Sequence, residues 1–368
     1  MRGEAKRQQV ILTLERPGDR IRKDHPIRKV KWLVDQQLQE LEPLLDEMYS
    51  DLGRPSIPPE WLLKSMVLMA LYSVRSERAF CERLDCDLMF RFFLDMNMID
   101  EAFDPSSFAK NRRRLMESEV AARFFDGVVN RCRMMGLLSM EHFSVDGTMI
   151  EAWASMKSFR PKQEKPEDRD PPDDPGNPTV NFHKEKRSNQ THQSTTDLQA
   201  KLFRKGLGKE AKLCFMGHAL MENRHGFCVD ISVSEASGTA ERTESLRLLD
   251  RQRQRGVIPR TVGGDKGYDA FDFIEALRSR GITPHVAQNI TEQRGSNIDG
   301  RTTRHEGYSL SQRCRKKIEE IFGWGKTIGG LRKTRYRGKE RTGFYAYFAG
   351  ATYNLIRMVN LVPDLAAA

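Results

Sequence analysis

The apolar residues of this chain change their spacing once, near residue 140, and that change constrains the fold more than any other feature. Before it, Val30, Leu33, Val34, Leu38, Leu41, Leu44 and Leu45 recur at helical intervals. Pro58-Pro59-Glu60 opens a second helix, because proline is tolerated in a first turn, and Trp61 to Leu68 continues it. Ser76 is placed to cap another helix through Phe80, Leu84 and Leu88. Ser106 or Ser107 is placed to cap a basic one carrying Lys110, Arg112, Arg113 and Arg114. An all-α N-terminal domain over residues 22–135 is the expectation. Its basic helix ends suit a helix-turn-helix-like DNA binder; the alternative is a bundle whose charges are its solvated face.

From 142 the period is that of strands. His142 to Asp146 alternates, Lys212 to Met221 is mostly apolar, and Phe227 to Val233 alternates again. A helix follows over about 239–254, then a short strand, Arg260-Thr261-Val262, ending at Gly263-Gly264-Asp265. Ala270 to Arg280 is helical, Pro284 to Ala287 is a further strand, and Ser311 to Lys326 is a basic helix. Three strands, helix, strand, helix, strand, helix is the order of an RNase H-like α/β fold with a mixed sheet, expected here over 140–360. Inside it, residues 157–190 hold six of the 16 prolines and a near balance of 8 basic and 7 acidic residues. Such a segment has little to bury, so a disordered loop is expected there.

Charge narrows the function. Lys and Arg number 61 against 51 Asp and Glu, a net +10 with a pI near 9.3, which favours a polyanionic partner. No apolar run approaches the ~20 residues that span a bilayer, and the first residues lack the apolar core of a secretory signal. The six cysteines are scattered without a CxxC pair, which fits a reducing bacterial cytoplasm and no membrane partner.

Three acidic residues invite a chemical reading. Asp146 lies in Phe143-Ser144-Val145-Asp146-Gly147-Thr148, where Asp-Gly alone reads as a hairpin turn. Asp265 ends a strand, where open α/β sheets place their ligands, although its neighbouring glycines also suit a plain turn. Glu319 lies in a basic helix, where a Glu is ordinarily a solvated ion-pair partner. At ~100° per residue, however, Arg315, Glu319, Phe322 and Lys326 share one helical face. Counting from Glu320 instead loses the forward cation. Three carboxylates gathered at a sheet edge repel one another unless a cation sits among them. Oxygen ligands without His or Cys point to Mg²⁺ or Mn²⁺, and two such ions suit phosphoryl transfer.

The stretches SVDGTMIEAWASMKSFRPK, NFHKEKRSNQTHQSTTD, GGDKGYD and SQRCRKKIEEIFGWGKTIGGLRKTRYRG closely resemble the bacterial transposases of the insertion sequence five family, which are DDE (Asp-Asp-Glu) enzymes. The helical segment beginning DHPIRKVKWLVDQQL resembles the N-terminal domain of that family, so the resemblance covers roughly residues 22–360. It implies a catalytic and metal-binding triad of Asp146, Asp265 and Glu319 on an RNase H-like fold. Arg315, Glu319 and Lys326 match the spacing of the family's Tyr-(2)-Arg-(3)-Glu-(6)-Lys signature, while Gln312 replaces its tyrosine.

The expected activity is that of a transposase that binds the terminal inverted repeats of its element, cleaves phosphodiesters there and joins the 3′-hydroxyls to target DNA. Pairing two double-stranded ends implies a homo-oligomer, at least a dimer. Between 304 and 341 lie 12 Lys/Arg and 4 Asp/Glu, a concentration that reads as a phosphate-backbone groove. Arg315, Lys316, Lys317, Lys326, Arg332, Lys333, Arg335 and Arg337 are its candidate DNA contacts. Trp153 is expected in the core, with base stacking as the alternative. His183 and His192 are expected as polar loop residues. Two rivals remain: a metal-dependent nuclease of the same fold without strand transfer, and a catalytically retired DNA-binding protein.

Overall fold

The computed structural model describes residues 16–49, 56–162, 187–206, 209–290 and 295–365. Six helices come first: α1 (Pro26–Glu47), α2 (Pro59–Leu71), α3 (Glu77–Cys86), α4 (Leu88–Phe93), α5 (Pro105–Met116) and α6 (Val120–Met134). Then follow β1 (His142–Glu151), β2 (Phe159–Pro161), β3 (His192–Ser194), β4 (Lys201–Phe203), β5 (Lys212–Glu222), β6 (Cys228–Glu235), α7 (Ala240–Gln254), β7 (Thr261–Gly264), α8 (Phe271–Ser279) and β8 (Thr283–Val286). The chain closes with α9 (Gly300–Thr303), α10 (Glu306–Cys314), α11 (Ile318–Thr327) and α12 (Lys339–Leu361).

The helical starts obey local chemistry. His25 accepts the Ile27 N–H and Pro26 occupies the first turn of α1, whose Ile27, Val30, Leu33, Val34, Leu38, Leu41 and Leu45 are buried. Ser76 caps α3 through the Ala79 N–H, as expected, but the helix stops at Cys86. Asp87 takes the Met89 and Phe90 N–H groups and begins α4, so Leu88 belongs to a new helix. The cap of α5 is Asp104, ahead of Pro105; Ser107 donates to it rather than capping. An ionised cap before a first-turn proline outcompetes the serine hydroxyls.

The sheet runs β6-β5-β1-β7-β8, with β4 extending the edge beside β5. β5 is antiparallel to β1 and β6, while β7 is parallel to β1 and β8. The mixed sheet with helices, preceded by a helical region, is the architecture expected from the element order. Its registers are unequal. β5 pairs with β1 from Phe143↔Glu222 to Glu151↔Cys214, but β7 reaches only from His142↔Thr261 to Ser144↔Gly263. Beyond Ser144 the β7 ladder ends, and among the described residues that side of β1 is next bridged only at Glu151, which pairs with Lys333.

α12 ties the two halves together. It is buried on several faces: Phe348 stacks on Phe124 of α6 at 5.4 Å, and Asn354 binds both the N–H (2.9 Å) and C=O (2.7 Å) of Cys228 on β6. One continuous hydrophobic core consequently runs from Ile27 to Leu365.

Other expectations need correction. The basic helix over 311–326 is three pieces: α10, a tight 3₁₀ turn at Arg315–Lys317, and α11. Within the expected loop, residues 157–161 form a turn and strand β2, which pairs with β3, so the loop's flanks are tied; 163–186 lie outside the described residues. Trp153 is 52% exposed, not in the core. His192 is buried and stacked on Phe159 at 5.5 Å rather than lying in a polar loop, because the β2–β3 ribbon covers it; His183 lies outside the described residues. Among the described residues the six cysteines are free, and no helix is long and apolar enough to cross a membrane.

Candidate active site

Asp146 sits in the middle of β1, not at its end, and Asp146-Gly147 is extended strand rather than a hairpin. It lies two residues beyond the last pair of the β1–β7 ladder, Ser144↔Gly263, and its alternation puts it on the same side as Ser144 and Thr148. Its Oδ1 accepts the Gly147 N–H at 2.8 Å. Burial, the dominant influence, pushes its carboxyl up to about 7. The charges of Asp265 and Glu241 push the same way, against the Gly147 N–H and Arg315.

Asp265 follows β7 immediately. Its Oδ1 accepts the Gly267 N–H at 2.8 Å and so caps the turn Lys266–Tyr268. The two preceding glycines are steric requirements. A Cβ at Gly264 would meet the buried Tyr268 ring at 3.1 Å. One at Gly263 would lie 3.2 Å from Ser144 Oγ and 3.7 Å from Arg315 Cβ. Gly-Gly-Asp thus lets a ring close one side of β7 and Arg315 the other, with the carboxylate at the strand end. The second aspartate of the motif, Asp269, does different work. It accepts hydrogen bonds from Asn289 N, Ser296 Oγ and Asn297 N and Nδ2, pinning the loop after β8.

The flanks of α11 are chemically distinct. Ile318, Ile321 and Gly325 face the core. On one flank Glu320 pairs with Arg357 of α12 at 2.8 Å, and Lys317 donates to the carbonyls of Asn223 and Arg224. The other flank carries Arg315, Glu319, Phe322 and Lys326. Both cations of that flank act on Asp146: Arg315 lowers its affinity for protons, and Asp146 in turn supports the charge of Lys326. Lys326 is pushed down first by burial and then by Lys205 and Arg332. Glu319 is exposed between them.

The other candidate DNA contacts divide. Lys316, Arg332, Lys333 and Arg337 are exposed, with Lys333 3.7 Å from Glu151. Arg335 instead donates to the Val74 carbonyl at 3.1 Å and lies over Tyr345, which makes it a brace between α12 and the end of α2. Gln312, in the tyrosine position, donates to the His285 carbonyl and fastens α10 to β8.

One acid escaped the sequence reading. Glu241, in the first turn of α7, lays its carboxylate across Gly147: a Cβ there would lie 2.6 Å from its Cγ and 2.7 Å from its Oε1. Burial and then the charge of Asp265 raise its carboxyl, against Lys205 and Arg242. As they stand, no three His, Cys, Asp or Glu side chains among the described residues gather tightly enough to hold one ion. The donor set nevertheless suits a hard divalent cation, for it is all carboxylate. None of Asp146, Asp265 and Glu241 makes an ion pair within 4 Å among the described residues, although like charges lie beside each.

Comparison with known families agrees. A model of the transposase DDE domain matches residues 180–355, and a model of a second transposase domain (DUF772) matches residues 15–114. The chain is thus similar to DDE transposases over these two stretches. Asp265 and Glu319 fall inside the DDE match, and Asp146 lies between the two matched stretches. No curated protein matches the sequence. Among solved structures, the piggyBac transposase synaptic complex with hairpin DNA is similar at 8% identity, with 93% of this chain and 76% of that chain covered and a TM-score of 0.40. The Mos1 transposase paired-end complex is similar at 10% identity over 86% and 82%, with a TM-score of 0.20. Scores this low carry no argument about this chain.

Proposed function

We propose that this protein is a transposase that binds the terminal inverted repeats of an insertion sequence of the insertion sequence five family, cleaves phosphodiesters at those ends and joins the freed 3′-hydroxyls to target DNA. In this reading the sheet is an RNase H-like scaffold, and Asp146, Asp265 and Glu319 hold two Mg²⁺ or Mn²⁺ ions. The observation that carries it is the sheet edge where β7 ends. Asp146 on β1 and Asp265 directly after β7 come from adjacent parallel strands, feel each other's charge and make no ion pair within 4 Å among the described residues, beside a helix flank that offers Arg315, Glu319 and Lys326.

Held by Asp146, Asp265 and Glu319, a divalent pair would activate the attacking oxygen and stabilise the leaving one. The protein supplies position. Asp146, fixed by the β1–β5 ladder, and Asp265, fixed by its own turn, set a rigid edge for the ions. Glu319 closes the site from α11. Arg315 and Lys326, one turn before and two turns after Glu319, bind phosphates on either side of the scissile bond. Lys316, Arg332, Lys333 and Arg337 extend the path of the DNA, whereas Lys317 and Arg335 shape the protein that bears it. Helices α1 to α6 read the end sequence as one rigid piece with the catalytic half, since α12 packs both. Two chains act on two ends in the bacterial cytoplasm.

The test is an assay of full-length protein with Mg²⁺ and DNA carrying the element's ends. Joined products support the transposase reading. Nicks alone would favour a nuclease, and end-specific binding without cleavage a retired enzyme.

A further inference from the structure

The 12 residues of α5 include Lys110, Arg112, Arg113 and Arg114 and no acid. Phe108 and Leu115 bury one face of the helix. Arg112 borders that face, pairs with Glu77 of α3 and lies over the Tyr336 ring at 5.1 Å. At ~100° per residue, Lys110, Arg113 and Arg114 turn away from it, and all three are exposed. None of the three makes an ion pair within 4 Å among the described residues; Arg114 lies over the Tyr49 ring at 5.7 Å.

This face is fixed beside the catalytic edge by the segment between α11 and α12. That segment lies along the end of β1: the Glu151 N–H donates to the Arg332 carbonyl at 3.0 Å, and the Thr334 N–H to the Glu151 carbonyl at 2.8 Å. It is fastened to the helical half by Tyr336 under Arg112, by Arg335 on the Val74 carbonyl at 3.1 Å and by Ser73 Oγ on the Ile328 carbonyl at 2.9 Å. Exposed Arg332, Lys333 and Arg337 of the segment, exposed Arg341 in the first turn of α12 and the three cations of α5 therefore adjoin. Burial is the first cause that lowers the pKa of Arg112; Arg335, Arg113 and Arg341 push the same way, against Tyr336, so cations of three elements converge there. Glu151 follows Asp146 on the same strand at a distance of roughly 17 Å, about half a turn of duplex DNA.

The ordinary explanation of charge on a helix is a solvated face, and such faces interleave acids and bases one turn apart. α3 does so: Glu77, Arg78, Glu82, Arg83 and Asp85 alternate in sign, and Arg83 pairs with Asp87 at 2.9 Å. α5 does not. Glu117 lies one turn beyond Arg113, yet no ion pair within 4 Å joins them. Asn111, the one amide of α5, spends its Nδ2 on the Ser107 carbonyl at 2.8 Å. What remains is a row of long cations, whose mutual repulsion a polyanionic backbone relieves.

We propose that the outer face of α5, with Arg341 of α12, is a clamp for the phosphate backbone of double-stranded DNA. It continues the path of Arg332, Lys333 and Arg337 from the catalytic edge onto the helical half of the same chain, and it holds the duplex without reading its bases. This proposal rests on the reading of the protein as a DNA-binding transposase.

The experiment is fluorescence anisotropy of full-length protein with two duplexes of equal length, one carrying the element's end and one scrambled, over a series of salt concentrations. Wild type should bind both, the end more tightly. The triple variant Lys110→Ala/Arg113→Ala/Arg114→Ala should lose about tenfold or more in affinity for both duplexes, by the same factor. The slope of log affinity against log salt should shrink by about 2 to 3, since each lost phosphate contact removes about 0.9. Arg341→Gln, on a different element, should shrink it by about 1, whereas Arg253→Ala, in the last turn of α7, should leave it unchanged. All these residues are exposed, so melting temperatures should stay at the wild-type value. If the triple variant and Arg341→Gln bind both duplexes as wild type does, the face is merely solvated and the clamp is overturned, while the transposase reading stands. A loss confined to the end duplex, with the salt slope unchanged, overturns it too, because α5 then reads bases. If wild type binds neither duplex, the clamp and the transposase reading fall together.

Discussion

Asp146 and Asp230 lie two strands apart on one sheet, and the fold treats them in opposite ways. Asp230, on β6 and 1% exposed, accepts hydrogen bonds from Arg251 Nη2 (2.7 Å) and Nε (3.1 Å), from Gln252 Nε2 (3.1 Å) and from the Ile231 N–H (2.9 Å). Arg251 reaches on to Tyr347 of α12, and Arg255 to Asp126 of α6. The carboxylate is fully hydrogen-bonded, although burial still raises its pKa, and the network knits the helical half to the sheet. Asp146 receives only the N–H of its neighbour, and the charges of Asp265 and Glu241 act on it against Arg315. A buried carboxylate with a complete set of donors is a structural part. One that is partly buried, incompletely satisfied and near like charge fits the ligand role proposed for Asp146.

The sharpest break between the two sites is in what neutralising each would do. Asp146→Asn and Asp265→Asn should each lower Mg²⁺-dependent end cleavage by about a thousandfold or more, roughly 4 kcal/mol in the barrier. Neither should lower the melting temperature of the metal-free protein, and a clear loss of stability in Asp146→Asn would erase the contrast. Asp230→Asn should do the reverse. It strands Arg251 and should cost about 3 kcal/mol in denaturant unfolding, the low end for a broken buried pair because Arg251 is itself 35% exposed. Folded Asp230→Asn protein should still cleave.

Much of this was legible beforehand, for physical reasons that also mark the limit. The switch of period near 140 and the order of strands follow from alternation, which any half-buried strand must show. Gly263-Gly264-Asp265 was legible because glycines ahead of an acid at a strand end leave few explanations. The hairpin reading of Asp146-Gly147 fails, since Asp-Gly ordinarily punctuates a strand and here continues one. α12 went unseen: it is buried on several faces, and a helix apolar all round has no amphipathic period to detect. β2, β3 and β4, at three residues each, are too short for a pattern. Glu241 carries no signal of its own in a charged helix. Only the space above Gly147 singles it out.

A smaller effect lies in the pH dependence of stability, to which burial makes Asp146 contribute. The folded-state carboxyl of Asp146 titrates at about 7, above the ordinary 3.8, because burial disfavours its charge. Between about pH 4 and 7 the folded protein therefore holds a proton that the unfolded chain releases. Stability should fall as pH rises through that window, by at most about 1.4 kcal/mol per pH unit, and level off above it. Thermal melts of the metal-free protein from pH 4.5 to 8 should show this decline, and Asp146→Asn should reduce it, leaving the part due to Asp126, Asp230 and Glu241, whose carboxyls burial also raises. Mn²⁺ affinity should rise over the same range, as the ion competes with the proton. A wild-type decline that persists unchanged in Asp146→Asn would assign the titration to another group.

The smallest expected effect tests the register of α11. Glu319 and Glu320 are adjacent and both exposed, so composition cannot choose between them. Their flanks can. Glu320 faces α12 and forms an ion pair with Arg357, which also donates to the Tyr353 hydroxyl at 3.0 Å and the His225 carbonyl at 2.8 Å; Arg357 keeps those partners if Glu320 is neutralised. The pair is half open to water, so Glu320→Gln should cost no more than about 1 kcal/mol of stability and leave cleavage near normal. Glu319 shares its flank with Arg315 and Lys326, the two cations that act on Asp146. Glu319→Gln keeps the shape of the side chain and removes the charge, so it should reduce cleavage as severely as Asp146→Asn while retaining affinity for end DNA. Should Glu320→Gln abolish cleavage and Glu319→Gln preserve it, the flank that faces the sheet edge is the other one, and the assignment of Arg315 and Lys326 to phosphate falls with it.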